Sequence, residues 1–552
     1  LLDAPARTDY QHQVERADEE MDNLRSAFGW SIECGDIARA LELASSLQPL
    51  WLSRGRIQEG LAWFEAVFID GEPPTDLGPD GRARALADRA VLYAWLADYH
   101  LDDAEDALAC ARDLDDPALL LRALTACGSS AVYDTEVAGR YFSEAIGMAR
   151  NLSDHWRLSQ ILGQQAQVAF VAGDPLAVRA AAEEGRDLAD AIGDGFNSRQ
   201  CRWRLAGAYL FEGDLTRAIA EYRAVVADAD ADHDVMSQVA ALMILPHALA
   251  FHGEAGAARL AAESGIEAAT ELGDVYLGGI YISLMTSHLA AGDIASASDA
   301  ADAGWPLLSS LYGTASINSA YIAQLDLARG NLAAARRGAD EAAEATAGWI
   351  RGWVLTIRAR IAIEQREPEQ AERDAYEALA CFADLKAYLG ASNTFEILAD
   401  IAGNSGSHRE AARLFGAADG IRQRTGEIRL PFYQPAYVSS TSELRNAMGD
   451  QDFEAAWAEG AALSTSEAIA YAQRGRGERK RPSSGWASLT PAELDVVRLV
   501  SEGLGNKDVA TRLFISPRTV QSHLTRVYTK LGLSSRVQLA QEAARRSTSS
   551  NS

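Results

Sequence analysis

Residues 490–546 read TPAELDVVRLVSEGLGNKDVATRLFISPRTVQSHLTRVYTKLGLSSRVQLAQEAARR, and their helix starts, stops and apolar spacing describe a compact helix-turn-helix pattern. Thr490, Pro491 and Glu493 form a capping box with proline at the first helical position, so a helix starts there and is expected to carry Leu494, Val497 and Val500 inward. Gly503 and Gly505 end it. Asn506 and Lys507 open a short second helix whose Val509, Ala510 and Leu513 can face the first, and Phe514 and Ile515 are expected to fill the following turn. Ser516 caps a third helix, Pro517 fits its first turn, and Val520, Leu524, Val527 and Leu531 recur at helical spacing as one buried stripe.

The opposite face of that third helix carries Arg518, Thr519, Gln521, Ser522, Thr525 and Arg526. It mixes cations suited to phosphates with short hydrogen-bonding groups suited to base edges in a major groove. One amphipathic helix is unspecific, since a solvated face looks the same. Three linked helices narrow the choice.

The stretches LTPAELDVV, GNKDVATRL and ISPRTVQSHLTRVYTKLGL, with the closing SR of a fourth helix at Ser535 and Arg536, resemble the C-terminal DNA-binding domain of LuxR-type transcriptional regulators. Two positions depart from that family. Gly505 stands where serine is usual, and Gln521 where lysine or arginine is common. The resemblance implies that Lys507, Thr519, Arg526 and Arg536 serve mainly phosphates. It also places the counterparts of Gln521, Ser522 and Thr525, with Arg518 beside them, deepest in the major groove. A helix that starts at Pro517 and buries Val520, Leu524 and Val527 turns those residues outward. Gln521 would read adenine through N6 and N7, where lysine or arginine would prefer guanine.

Charge is divided unevenly outside this stretch. Residues 474–552 hold fourteen Lys and Arg against six Asp and Glu, a net of +8, which leaves −35 for residues 1–473 of the whole-chain −27. An acidic body repels DNA while a basic end releases counterions from it, so only the end is expected to touch nucleic acid. Between the two parts, RGRGERKRPSSG at 474–485 has the composition of a flexible tether, with a secondary phosphate contact as the alternative. No stretch of eighteen apolar residues occurs, and the five cysteines are scattered without a Cys-x-x-Cys pair. A cytoplasmic protein without a membrane span, zinc site or disulfide framework is expected. The start at Leu1 without a leader suggests a fragment of a longer protein.

The acidic body repeats itself. AGDPLAVRAAAEEG, EGDLTRAIAEYRAVV, HGEAGAARLAAESG, AGDIASASDAADAG and RGNLAAARRGADEA place turn glycines at Gly173, Gly213, Gly253, Gly292 and Gly330, spaced by 40, 40, 39 and 38. Fainter copies at Gly35, Glu367 and Gly406 extend the array over nearly all of residues 20–420. Small alanines let paired helices approach, and a turn glycine ends one helix before the next begins. The pattern resembles a tetratricopeptide-like superhelix with a period longer than its usual ~34 residues. It is closer to the sensor superhelix of MalT-type regulators. Residues 19–68 resemble the junction after the nucleotide-binding portion of such ATP-dependent proteins. No P-loop accompanies it, because none of the four lysines, Lys386, Lys480, Lys507 and Lys530, follows a GxxxxG loop. VLYAWLAD at 91–98 is then a repeat helix.

The expected fold is all-α. Residues 1–425 form the helical-repeat array, 426–473 a helical extension, 474–485 the basic linker, 486–546 the DNA-binding domain and 547–552 a tail. LPFYQPAY at 430–437 is expected as an irregular link, and Ser464 with Glu467 caps a helix that Gly475 stops. Trp51, Trp63, Phe64, Trp95, Tyr99, Trp203, Tyr209 and Phe211 suggest either a ligand cage or, more simply, packing between helices. His247, His252 and Glu254 do not share a helical face as metal ligands would. No cofactor and no catalytic cluster is expected. The leading expectation is a DNA-binding regulator acting on double-stranded DNA as a dimer or oligomer, with an effector or protein partner on the repeats. The alternatives are an interaction scaffold and part of a signalling ATPase. A response regulator is disfavoured, since helical repeats stand where its α/β receiver domain would be.

Overall fold

The computed structural model describes residues 10–74, 77–479, 486, 489, 491–501, 503–513 and 516–549. Among these residues the regular elements are helices, with an isolated bridge between Ile69 and Glu72. The chain divides into two compact units, Leu1–Ser466 and Glu467–Ser552.

The first unit is the repeat array, and its local grammar is finer than the 40-residue spacing of its glycines. Asp134, Asp154, Asp174, Asp194, Asp214 and Asp234 each precede a helix and accept a hydrogen bond from the backbone N–H three residues on, at 3.0 to 3.1 Å. The last five are each preceded by a residue at positive φ: Ser153, Gly173, Gly193, Gly213 and His233. A left-handed residue ends one helix, an aspartate caps the next, and the pair recurs every 20 residues.

Alternate helices differ in how they are buried. Pro175–Ile192 buries the stripe Val178, Ala181, Ala182, Gly185 and Ala189, as an amphipathic outer helix does. Gly195–Glu212 is enclosed on nearly every side and takes Arg199, Gln200 and Arg204 inside with it. The array winds tightly enough for successive superhelical turns to touch. The N–H groups of Trp349, Leu389 and Ile428 donate to the carbonyls of Gly173, Phe211 and Phe251. Side chains bridge the same gap. Arg54 donates to the Asp232 carbonyl, Tyr276 to the Trp95 carbonyl, and the Tyr133 hydroxyl pairs with Thr314, between residues 178 to 181 apart. Gly348 sits at one crossing, where a Cβ would stand 2.3 Å from the Ala172 carbonyl oxygen.

Several expectations change. The segment 430–437 is a 3-10 turn, Pro431–Tyr433, running directly into the helix Gln434–Met448, because Pro435 falls in the first turn, where a missing N–H costs nothing. The helix Thr465–Arg479 passes through Gly475 and Gly477, so Arg474 to Arg479 are helical and not linker. Glycine weakens a helix interior by only about 1 kcal/mol, which does not oblige it to stop. Positions 480–485 of the expected linker lie outside the described residues. The last helix reaches Ser549, into the segment expected as a tail. No helix among the described residues is long and apolar enough to cross a membrane.

Of the aromatic residues singled out in the array, Trp51, Trp63, Phe64, Trp203, Tyr209 and Phe211 are buried between helices. Trp95, Tyr99 and Trp203 also line a cavity. His252 Nδ1 lies 3.0 Å from Glu254, while His247 is buried elsewhere, its ring 4.6 Å from that of Tyr321.

Candidate nucleic-acid interface

Four helices make the C-terminal site: Pro491–Ser501, Asn506–Leu513, Pro517–Leu531 and Arg536–Ser549. The third is set by its ends. Ser516 Oγ accepts from the Thr519 N–H at 3.1 Å, Pro517 occupies the first turn, and Gly532 at φ 66° closes the last. Its Val520, Leu524 and Val527 enter a core with Val496, Val497, Leu499, Val500, Val509, Ala510 and Leu539. Leu531 packs partly against it.

In the opening helix Val497 and Val500 are buried as expected, but Leu494 is not. Leu494 is 43% exposed, and the buried stripe is Glu493, Val496, Val497 and Val500. Glu493 is tolerated inside because Lys530 on the third helix donates to its Oε2 at 2.8 Å. The pair clamps the two helices. The capping residue Thr490 and the turn residues Phe514 and Ile515 lie outside the described residues.

With one stripe of the third helix buried, Arg518, Thr519, Gln521, Ser522, Thr525 and Arg526 are all exposed. Lys507 on the second helix is exposed too. Among the described residues no carboxylate pairs with Lys507, Arg518 or Arg526, so these cations remain open to an anionic partner. The Thr525 hydroxyl donates to the Gln521 carbonyl at 3.0 Å, leaving its lone pairs to accept from a base amino group. Thr519 Oγ1 lies 2.8 Å from Ser516 Oγ, within the cap.

Arg536 sits differently from the rest. It is half-buried, donating to the Leu504 carbonyl and, at 2.7 Å, to Asn506 Oδ1. Asn506 Nδ2 in turn donates to Gln521 Oε1 at 3.0 Å. A relay therefore runs from the fourth helix through the start of the second to the face of the third. It orients the Gln521 amide, leaving Nε2 and one Oε1 lone pair outward, the donor and acceptor that a bidentate contact to adenine requires. The part Asn506 plays is not marked in the sequence. Its only signal was a polar side chain at the first position of the second helix.

Residues 487–543 match the family model described as bacterial regulatory proteins, luxR family. They are a LuxR-family domain. Proteins named as candidate HTH-type transcriptional regulators in Mycobacterium tuberculosis and Mycobacterium bovis are 52% identical to this chain over 556 residues, covering 100% of it and 63% of their own length. The chain thus spans about 63% of the curated relatives it matches. The oxygen regulatory protein NreC of Staphylococcus aureus is 33% identical over 84 residues, 15% of this chain and 39% of that protein. Among solved structures, a Rap protein complexed with competence and sporulation factor gives a TM-score of 0.48 at 12% identity, over 63% of this chain and 99% of that one. The Cut9-Hcn1 hetero-tetramer of APC/C gives 0.45 at 11% identity, over 98% and 96%. In the LuxR-family domain, the exposed face of the third helix is the candidate base-reading surface.

Proposed function

We propose that this chain is the sensing and DNA-binding portion of a transcriptional regulator, in which the helical array receives a signal and the LuxR-family domain binds double-stranded DNA. The observation that carries this reading is the third helix of that domain, whose outward cations have no carboxylate partners among the described residues and whose outward amide is held in place from behind. Lys507, Thr519 and Arg526 serve phosphates, and Arg518, Gln521, Ser522 and Thr525 face base edges. Arg536 acts on DNA mainly by positioning Asn506 and Gln521, with any phosphate contact secondary. Two copies on paired half-sites, one helical turn or a multiple apart, suit a domain that presents one such helix. A cytoplasmic location belongs to the same reading, and no cofactor is part of it.

The test is a binding-site selection with the full chain. Enrichment of a defined half-site, spaced in whole turns, is the expected result. Binding of equal strength to all sequences would favour a scaffold whose C-terminal domain only holds DNA loosely.

A further inference from the structure

The array forms a partly open cavity of about 230 Å³ between successive superhelical turns. Its walls come from residues 94–133 on one turn and 275–318 on the next, with 164–244 between them. Two of the contacts that join the turns, Tyr276 to Trp95 and Tyr133 to Thr314, are part of the wall. Most of the lining is apolar or aromatic: Trp95, Tyr99, Phe170, Trp203, Met236 and Ile244.

One charged residue breaks that pattern. Arg204 lines the cavity, is 2% exposed, and stacks over the Trp203 ring at 4.4 Å. Its Nε donates to Gln167 Oε1 at 3.0 Å, and its Nη1 to the carbonyl and Oε1 of Gln200 at 2.6 and 2.9 Å. All these acceptors are neutral. Nη2 has no acceptor among the described residues, and no Asp or Glu lines the cavity. Burial pushes the guanidinium down to about 10, and no carboxylate acts to restore it. Arg199, on the same helix, shows the usual solution. It donates to Asp234 at 2.7 Å and to Asp232, and these carboxylates hold its charge in place.

A buried charge without a counter-charge is expensive, and an anionic ligand would supply the missing partner. The surrounding body carries a net −35 over residues 1–473, so an acid-free cavity with one cation is not a product of composition. An apolar cavity of ~150 Å³ already admits a benzene ring. This one has room for a ring and a short acidic chain.

We propose that this cavity is a binding site for a small organic carboxylate with an aromatic or branched apolar body, its carboxylate paired with Arg204 and its body packed among Trp95, Tyr99, Phe170 and Trp203. Because the walls belong to two superhelical turns, the bound acid joins them. The site supplies the signal class for the array, and in that respect it rests on the function proposed above. Its binding is nonetheless measured without DNA, so failure here and failure of DNA recognition are read separately.

The probes are 3-phenylpropionate, hexanoate and the neutral 3-phenylpropionamide, titrated into the full chain by calorimetry with melting followed in parallel. 3-Phenylpropionate is expected to bind saturably at millimolar concentration or below, to raise the melting temperature, and to exceed its amide at least tenfold in affinity. Arg204→Met should erase the difference between acid and amide while keeping the unliganded melting temperature, because methionine fills the site without a charge. Equal binding of acid and amide to the unaltered chain, or no saturable binding by either acid, overturns the proposal. So does an acid preference that survives Arg204→Met. If that variant does not fold, the comparison of acid with amide on the unaltered chain decides alone.

Discussion

Gln521 shares its Oε1 with Asn506, and Asn506 is itself held by Arg536, so two side chains from two other helices stand behind one outward amide. Gln521→Ala should change base preference at one position of the selected site, by about 1–3 kcal/mol of discrimination. Asn506→Ala should blur the same position, since the amide could then turn. A selection returning the same preferences at every position would remove Gln521 from the reading set even if total affinity fell. Lys507, exposed and without a carboxylate partner among the described residues, should behave otherwise. Lys507→Ala is expected to weaken all sequences alike and to lower the slope of log K against log salt by about one unit. A loss confined to one operator base would reject its phosphate role.

The same scale shows where sequence reading reached its limit. The stripe of the third helix was legible because its members are all apolar. That of the opening helix was legible only at Val497 and Val500, because its first member is Glu493, and a charged residue is taken for surface unless its partner, here Lys530 in a distant helix, is known. His247 adds a prediction in the array. Its ring is buried, Nδ1 has no hydrogen-bond partner among the described residues, and burial depresses it to about 3. A histidine depressed in the folded state contributes stability that is present above ~6.5 and lost as pH falls toward the folded value, at up to about 1.4 kcal/mol per unit. His247→Phe should therefore flatten the loss of stability between those limits. Parallel curves for the two proteins, followed by urea unfolding, would show that other groups drive it.

At the level of helices, the 40-residue spacing of glycines was plain in the sequence, and the 20-residue beat beneath it was not. Ser153 and His233 take left-handed turns where glycine is expected, so a search for glycine passes over them. The aspartate that follows each turn is the more regular mark. Asp214→Ala should cost about 1 kcal/mol by removing a cap, measurable as a shift in the denaturation midpoint with unchanged slope. Later in the chain two helices, His408–Thr425 and Asp450–Ala461, approach through Gly416, Gly420 and Gly460. A Cβ on Gly460 would stand 1.9 Å from the Arg413 carbonyl oxygen, which is backbone and has no rotamer to change. Gly460→Ala should destabilise by at least the ~1–3 kcal/mol typical of overpacking. A melting temperature equal to that of the unaltered chain would show that the helices part freely.

For the whole chain, composition separated an acidic body from a basic end. It said nothing of the contacts between superhelical turns, because nothing local marks residues 178 to 181 apart as neighbours. Those contacts set the order in which the array can form. Helix pairs close over short spans and can appear early and independently, wherever a cap and a left-handed turn stand together. A contact such as Arg54 to Asp232 must close a far longer loop, with a larger entropic cost, before it contributes anything. Newly made chain therefore has its helices well before it has its winding. During synthesis the early repeats wait, stacked but unclasped, until the repeats they will touch have left the ribosome.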